Sequence, residues 1–394
     1  MPSTFDVIIV GAGPAGAVCA TVCARQGLSV LVLEREKFPR DKVCGDCLNP
    51  SAWEVLRRLG IDETIRSLPH SPLRRIQIAT INERVFEFPV ESGASGEIGI
   101  RRRDLDMALI ETARVAGAAF LENTAVTSIQ GQWQIEAGGR HFTAKTLVAA
   151  DGRNSTVARL LNLMPPQQKD RVGIQTHLPL GPDQLDTVRM QLHPEGYSGG
   201  ASIGGNLWNL CLVARGDKIE ALKERATRLW KLPPTLRWRS LTPLSRRPLK
   251  AANDSLFLVG DAARVVEPFT GEGIYYALAS GELAGRHIHA PKTYLKKHAE
   301  LYRGRLWVNQ LAKWAVLNPA TTSWMLEHLP ADRLLRHLTS KVTADAVVTK
   351  TEPSARARRH LYQPSQAHEH PFSDDARDPY EAPPSPRRND VHKP

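Results

Sequence analysis

A strand-like run, Phe5-Asp-Val-Ile-Ile-Val10, feeds directly into Gly11-Ala-Gly13-Pro-Ala-Gly16, and a second apolar run, Leu28 to Leu33, ends on Glu34. Each glycine has its own physical reason: Gly11 for a tight turn, Gly13 so that backbone can approach a pyrophosphate, and Gly16 so that the following helix packs close to the sheet. The helix N-terminus then faces the anion. Glu34 stands about 20 residues beyond the glycines, where a carboxylate accepts from both ribose hydroxyls and repels a 2′-phosphate. Glycine turns also join strands to helices for packing alone, but strand, turn, helix, strand and acid in this order predict a dinucleotide-binding unit. By itself the unit admits NAD or FAD.

At 394 residues the chain has room for one large domain or two interleaved ones. Its 42% hydrophobic and 24% charged content is ordinary for a soluble globular protein. The glycine-rich strand begins almost at residue 1, leaving no room for a signal peptide, and no apolar run approaches the length of a bilayer span. The expected location is cytoplasmic. Five cysteines without disulfide-framework spacing fit a reducing compartment. Cys19 and Cys23, one helical turn apart, read as packing residues, and no metal site is expected.

The net charge of +11 belongs to the body of the chain, because Pro353 to Pro394 holds seven basic residues against six acidic ones. Arg215 to Lys250 is the densest basic part. A solvated charged face explains it; attraction to anionic lipid or an acidic partner is the sharper alternative. Nucleic-acid binding has no motif behind it.

Periodicity predicts an α/β chain, α+β overall, with a Rossmann-like domain (1–72, 101–165 and 251–290) interleaved with a mostly β substrate domain (73–100 and 166–250). Short strands are expected over Leu73 to Ile100, then a helix from Leu105 to Gly117, strands at 119–121, 126–129 and 133–135, and Thr146 to Ala150 running into Asp151-Gly152. Val188 to Leu192 and Leu207 to Val213 read as strands, Ile219 to Trp230 and Gly271 to Arg286 as helices. Residues 291–350 read as C-terminal helices, and 351–394, nearly devoid of aliphatic residues, as a disordered tail.

Three separated motifs together resemble the two-domain flavoprotein oxidoreductases that include aromatic hydroxylases, halogenases and geranylgeranyl reductases. They are the glycine turn, Asp151-Gly152, and Leu258-Val-Gly260-Asp261-Ala-Ala263 followed by Pro268-Phe-Thr-Gly271-Glu-Gly273-Ile274. The loop Lys42-Val-Cys44-Gly45-Asp46-Cys47 resembles the geranylgeranyl-reductase-like branch. The resemblance implies FAD, with Asp261 on the ribityl chain, Gly271, Gly273 and Ile274 against the flavin pyrimidine, and Arg102 reaching the cofactor. A helix beginning near Gly271 would offer its positive end to the N1–C2=O side, where negative charge gathers on reduction. The implied cofactor-binding set is Gly11, Gly13, Ala15, Gly16, Glu34, Arg35, Cys44, Gly45, Arg102, Val126, Asp151, Gly260, Asp261, Gly271, Gly273 and Ile274. Asp151 has a second reading as the cap of a helix near Asn154.

Cys44, Cys47 and Tyr197 are the candidate catalytic residues. The two thiols either shape the pocket and relay protons or are structural; zinc or a redox disulfide lacks the required context. Pro194 and Tyr197 fit the lipid-lining PxxYxWxFP stretch of geranylgeranyl reductases, whereas its tryptophan and Phe-Pro pair are missing, and Arg264 and Glu267 replace the family's more frequent Gly and Asp. The resemblance therefore implies an FAD-dependent oxidoreductase delivering hydride to a hydrophobic, unsaturated, isoprenoid-like substrate; in related hydroxylases NAD(P)H visits the flavin transiently, whereas in the reductases another donor is the alternative, so the electron donor stays open. A monooxygenase acting on an aromatic or polyketide-like molecule, and a flavin-free binding protein of the same fold, are the alternatives. Trp307, Leu311 and Trp314 share a helical face near Arg303, Arg305 and Lys313, which suits a helix packed on the core or one in peripheral contact with a membrane.

Overall fold

A computed structural model describes residues 3–90, 95–166 and 170–329. The expected tail at 351–394, and the C-terminal helices beyond 329, lie outside the described residues. The chain opens with β1 (Thr4–Val10), α1 (Pro14–Arg25) and β2 (Val30–Leu33). β3 (Cys47–Leu48), α2 (Ala52–Leu59), α3 (Asp62–Ser67), β4 (His70–Pro72), β5 (Arg75–Ala79), β6 (Val85–Pro89) and β7 (Ile98–Ile100) follow. The chain then returns through α4 (Arg102–Val115), β8 (Ala119–Leu121), β9 (Val126–Gln130), β10 (Gln134–Ala137), β11 (Arg140–Ala149) and α5 (Thr156–Leu160).

Its second excursion comprises β12 (Arg171–Pro179), β13 (Thr187–His193), β14 (Gly196–Ser202), β15 (Leu207–Arg215), α6 (Ile219–Leu229) and β16 (Arg239–Leu241). It closes with β17 (Ala252–Asn253), β18 (Leu256–Leu258), α7 (Gly273–Arg286), α8 (Pro291–Tyr302), α9 (Leu306–Leu317) and α10 (Pro319–His328).

The first sheet has eight strands: β8-β2-β1-β11-β18 are parallel neighbours, while β17 joins β18 and β10 joins β11 and β9 antiparallel. Strands covered on both faces should be continuously apolar. β1 and β2 are: Val7 to Val10 and Val30 to Leu33 are all buried. α1 lies on this sheet with α7 beside it, and Gly281 and Gly285 let the two backbones close, since a Cβ at Gly281 would stand 2.3 Å from the Ala15 carbonyl oxygen. The second sheet is ordered β16-β12-β15-β14-β13-β5-β6 and is antiparallel except where β13 meets β5. A small sheet, β3-β7-β4, lies in the chain segment that joins them.

Two local expectations shift. Trp133 is not in a strand: it takes a φ of 64° in the turn between β9 and β10. β14 carries no β-propensity signal because Gly196, Gly199 and Gly200 occupy it; Gly200 is required, as a Cβ there would lie 2.4 Å from the Trp208 ring. The helical run beyond 291 divides where Gly304 adopts a φ of 81° and where Pro319 starts a new helix.

Candidate active site

Three turns converge at the carboxyl ends of β1, β11 and β18, the place where open α/β sheets bind ligands. The backbone binds them together: Ala150 N–H donates to Val10 O (2.8 Å) and Val259 N–H to Ala149 O (3.0 Å). Gly11 has a φ of 102°, and a Cβ on it would meet the Ala150 carbonyl at 2.6 Å. A Cβ on Gly16 would stand 1.9 Å from Gly11 O, whereas nothing lies within 4 Å of the same position on Gly13. Two glycines are thus fixed by packing, and the third leaves open space in the wall of a cavity of about 390 Å³.

That cavity collects most of the expected residues. Gly13, Ala15, Cys44, Gly45, Arg102, Gly260, Asp261, Gly271, Gly273 and Ile274 line it, with Cys47 and Tyr197. The others stand behind or apart from it. Glu34 is buried and accepts from Ala12 N–H (2.8 Å) and Glu36 N–H (3.0 Å), holding the glycine turn. Arg35 is exposed beside Glu36, and Val126 packs in the core. Asp151 accepts from Val157 N–H (3.0 Å) while Ser155 Oγ accepts from Ala158 N–H (3.0 Å), so both serve the start of α5.

The far wall is apolar. Ile78, Met190, Leu192 and Val213 come from the second sheet, Phe269 from the turn before α7, and Val308, Val316 and Leu326 from α9 and α10. Tyr197 meets Phe269 edge-to-face at 5.3 Å. Asn309 fastens α9 over the cavity, donating to Glu272 Oε2 (3.0 Å) and accepting from Glu267 N–H (2.9 Å).

The FAD binding domain family model matches residues 4–193. Menaquinone reductase of Mycolicibacterium smegmatis is 30% identical over 316 residues, covering 72% of this chain and 76% of its own. Digeranylgeranylglycerophospholipid reductase of Methanocella arvoryzae is also 30% identical over 316 residues, covering 73% and 78%.

The chain belongs to the FAD-dependent oxidoreductases of the geranylgeranyl reductase, aromatic hydroxylase and halogenase superfamily.

Solved folds agree. A geranylgeranyl bacteriochlorophyll reductase-like protein of Thermoplasma acidophilum superposes with a TM-score of 0.66 at 22% identity, covering 89% of this chain and 94% of its own. A probable FAD-dependent monooxygenase of Pseudomonas aeruginosa gives 0.65 at 21%, covering 86% and 99%.

The residues present fit FAD. In the cavity wall beside Gly152 stands a cation without a partner: half-buried Lys42, whose Nζ lies 3.8 Å from a Cβ built on Gly152, makes no hydrogen bond or ion pair among the described residues. Loss of solvent, then repulsion by Arg102 and Arg40, pushes its ammonium down to about 8. Such a group gains from an anion placed in the cavity. Arg102, by contrast, is already committed, donating from Nε and Nη2 to the Asp106 carboxylate at 2.9 Å each. Of the three consecutive arginines it alone faces the cavity; Arg101 pairs with Asp104 at 2.7 Å.

The cysteine loop is held by the second sheet. The Cys44 carbonyl accepts from Gln175 Nε2 (2.9 Å), Asn209 Nδ2 (2.9 Å) and the Cys211 thiol (3.3 Å). All five cysteines are free, and burial pushes the Cys44, Cys47 and Cys211 thiols up, away from the reactive thiolate. Glu267, unusual for the family, has a structural partner: buried Arg171 of β12 grips its carboxylate with two bonds of 2.9 and 2.8 Å. Arg264 stacks over Tyr302 at 5.0 Å. Glu97 also lines the cavity, although nothing in its sequence neighbourhood marks it.

Proposed function

We propose that this FAD-dependent oxidoreductase reduces a carbon–carbon double bond of a hydrophobic, isoprenoid-like substrate. The observation that carries the reading is the apolar wall opposite the cofactor turns, built by β5, β13, β15, α9 and α10. Two relatives named as reductases of menaquinone and of a digeranylgeranyl lipid support it. In this reading the FAD part comprises 1–72, 101–165 and 251–290, and the substrate part 73–100 and 166–250.

When bound and reduced, FAD supplies a hydride. The chain does the rest. The N-terminus of α1 and Gly13 would receive the pyrophosphate, Arg102 would balance its charge, Asp261 would hold the ribityl chain, and Lys42 would face anionic charge farther along the cavity. The N-terminus of α7 at Gly273 faces the flavin where electrons gather. Tyr197 and Phe269 orient the substrate, and α9 with α10 exclude water. Cys44 and Cys47 shape the pocket as neutral thiols. NAD(P)H visiting transiently is one electron source for this reading, and a separate electron donor is the other.

The same two helices support peripheral membrane contact. Trp307, Trp314, Leu317 and Trp324 are exposed on the roof, no acid occurs between Arg303 and Leu326, and Leu311 both lines the cavity and reaches solvent. No helix among the described residues is long and apolar enough to cross a membrane. Sedimentation with anionic vesicles at low salt should be strong for the wild type and weak for a Trp314→Ser/Trp324→Ser variant; equal sedimentation removes the contact.

Incubating holoenzyme, reductant and a prenylated quinone under labelled dioxygen tests the chemistry. The expected product has lost one side-chain carbon–carbon double bond, with two hydrogens added to those carbons, and carries no label; a quinol with every side-chain double bond intact counts against the reading. A labelled product overturns the reading in favour of a monooxygenase.

A further inference from the structure

Glu97 immediately precedes β7, whose Gly99 pairs with Cys47 of β3. It is only 8% exposed, and its carboxyl has no hydrogen bond or ion pair among the described residues. The backbone beside it is fixed, since Trp53 Nε1 donates to Gly96 O at 2.8 Å. A Cβ built on Gly271 would lie 4.0 Å from Glu97 Oε1, so the carboxyl reaches the turn that faces the flavin in the reading above. It also borders a second pocket of about 210 Å³, lined by Trp53, Arg66, His70 and Arg74. Arg74 is exposed, so this pocket opens toward solvent.

A buried carboxyl left unpaired is costly, and such groups persist mostly where chemistry uses them. Glu97 is the one acid that touches both the reaction cavity and the solvent-side pocket among the described residues.

We propose that Glu97 is the proton donor of the reduction and is recharged from water through the second pocket. The inference rests on the reductase reading. The π bond of the substrate breaks; one carbon takes the hydride that reduced FAD supplies, and the other takes the proton from the Glu97 carboxyl, whose O–H bond breaks. The carboxylate then recovers a proton from water in the pocket beside His70.

The surrounding groups favour the carboxyl over the thiols. Burial alone pushes Glu97 up to about 7, with no charged neighbour responsible. Cys47, the titratable group across the strand pair, is pushed up by burial and next by Glu97 itself, so it stays protonated. Arg66, packed on Trp53, and His70 and Arg74 face Glu97 from the second pocket.

The test uses full-length holoenzyme and Glu97→Gln, which keeps the shape. Flavin content and visible spectrum should match the wild type. Because the folded pKa lies above the ordinary 4.5, wild-type stability should fall as pH rises from about 4.5 to 7, and Glu97→Gln should lack that fall; superimposable profiles overturn the proposal. In anaerobic single turnovers of dithionite-reduced enzyme with a prenylated quinol, whose ring accepts no electrons, the wild-type rate of side-chain double-bond loss should drop about tenfold per pH unit above roughly 7. Glu97→Gln should be slower by on the order of 100-fold and insensitive to pH, with Glu97→Asp recovering part of the rate and a pH break. A variant as fast as wild type with the same pH break overturns the donor role while leaving the reductase reading intact. Wild-type enzyme that is never reoxidised removes both.

Discussion

The two ends of the cavity are built on opposite principles. At the glycine turn almost every polar group has its partner within the protein: Glu34 holds Ala12 and Glu36, Arg102 holds Asp106, and Asp151 holds Val157. Farther along the cavity, Lys42 and Glu97 have no hydrogen bond or ion pair among the described residues, and the wall built by the second sheet, α9 and α10 is apolar. The saturated end can be rigid before any ligand arrives, which preorganises the anchor. The unsaturated end keeps titratable groups near neutrality, where binding and proton transfer can use them.

A buried ion pair ties β12 of the second sheet to the turn before α7, and breaking it should have the largest effect. Arg171→Met would leave the Glu267 carboxylate buried without a partner, and should cost about 3–5 kcal/mol in denaturant unfolding. If the loss is under 1 kcal/mol, the turn before α7 is not held by β12. Gly16→Ala attacks the saturated end alone. It should cost about 1–3 kcal/mol by overpacking against Gly11 O and yield protein without bound flavin; retained FAD at full occupancy would show that the turn can open. Lys42→Met probes the unsaturated end and should weaken FAD by about tenfold, near 1.4 kcal/mol, with little change in apoprotein stability. Titration calorimetry against the apoprotein separates the two.

A smaller effect checks a region remote from both ends. Burial, then Arg264, pulls His298 down to about 4 between Tyr294 and Tyr302. Its folded pKa is below its unfolded value, so the stability it contributes is present above about pH 6.5 and lost as pH falls toward 4. His298→Asn should flatten that part of the melting-temperature profile without altering flavin affinity.

The same contrast explains what the sequence disclosed. The anchor is local: strand, glycines and acid lie within Phe5 to Glu34, and neighbouring positions dictate the geometry. Asp261, Gly271 and Gly273 were legible only through resemblance, and they line the cavity. The reaction end depends on residues far apart in the chain. Arg171 and Glu267 are separated by 96 positions, and Gln175 and Cys44 by 131. No periodicity connects them. Glu97 follows a charged, strand-like stretch that suggests only surface, and its burial arises because β7 is sandwiched between β3 and β4. The α9 helix packs on the cavity through Val308 and Val316, while Trp307 and Trp314 are exposed, the feature from which its membrane reading is proposed.

In the proposed reaction, reduced FAD anchored by the glycine turn passes a hydride to a hydrophobic double bond in the adjoining cavity. Anaerobic stopped-flow absorbance of the dithionite-reduced holoenzyme mixed with a prenylated quinone tests it directly. The account predicts return of the oxidised flavin spectrum under nitrogen, with one double bond lost per flavin reoxidised. Flavin that stays reduced until oxygen is admitted, with product then carrying an added oxygen atom, would contradict it.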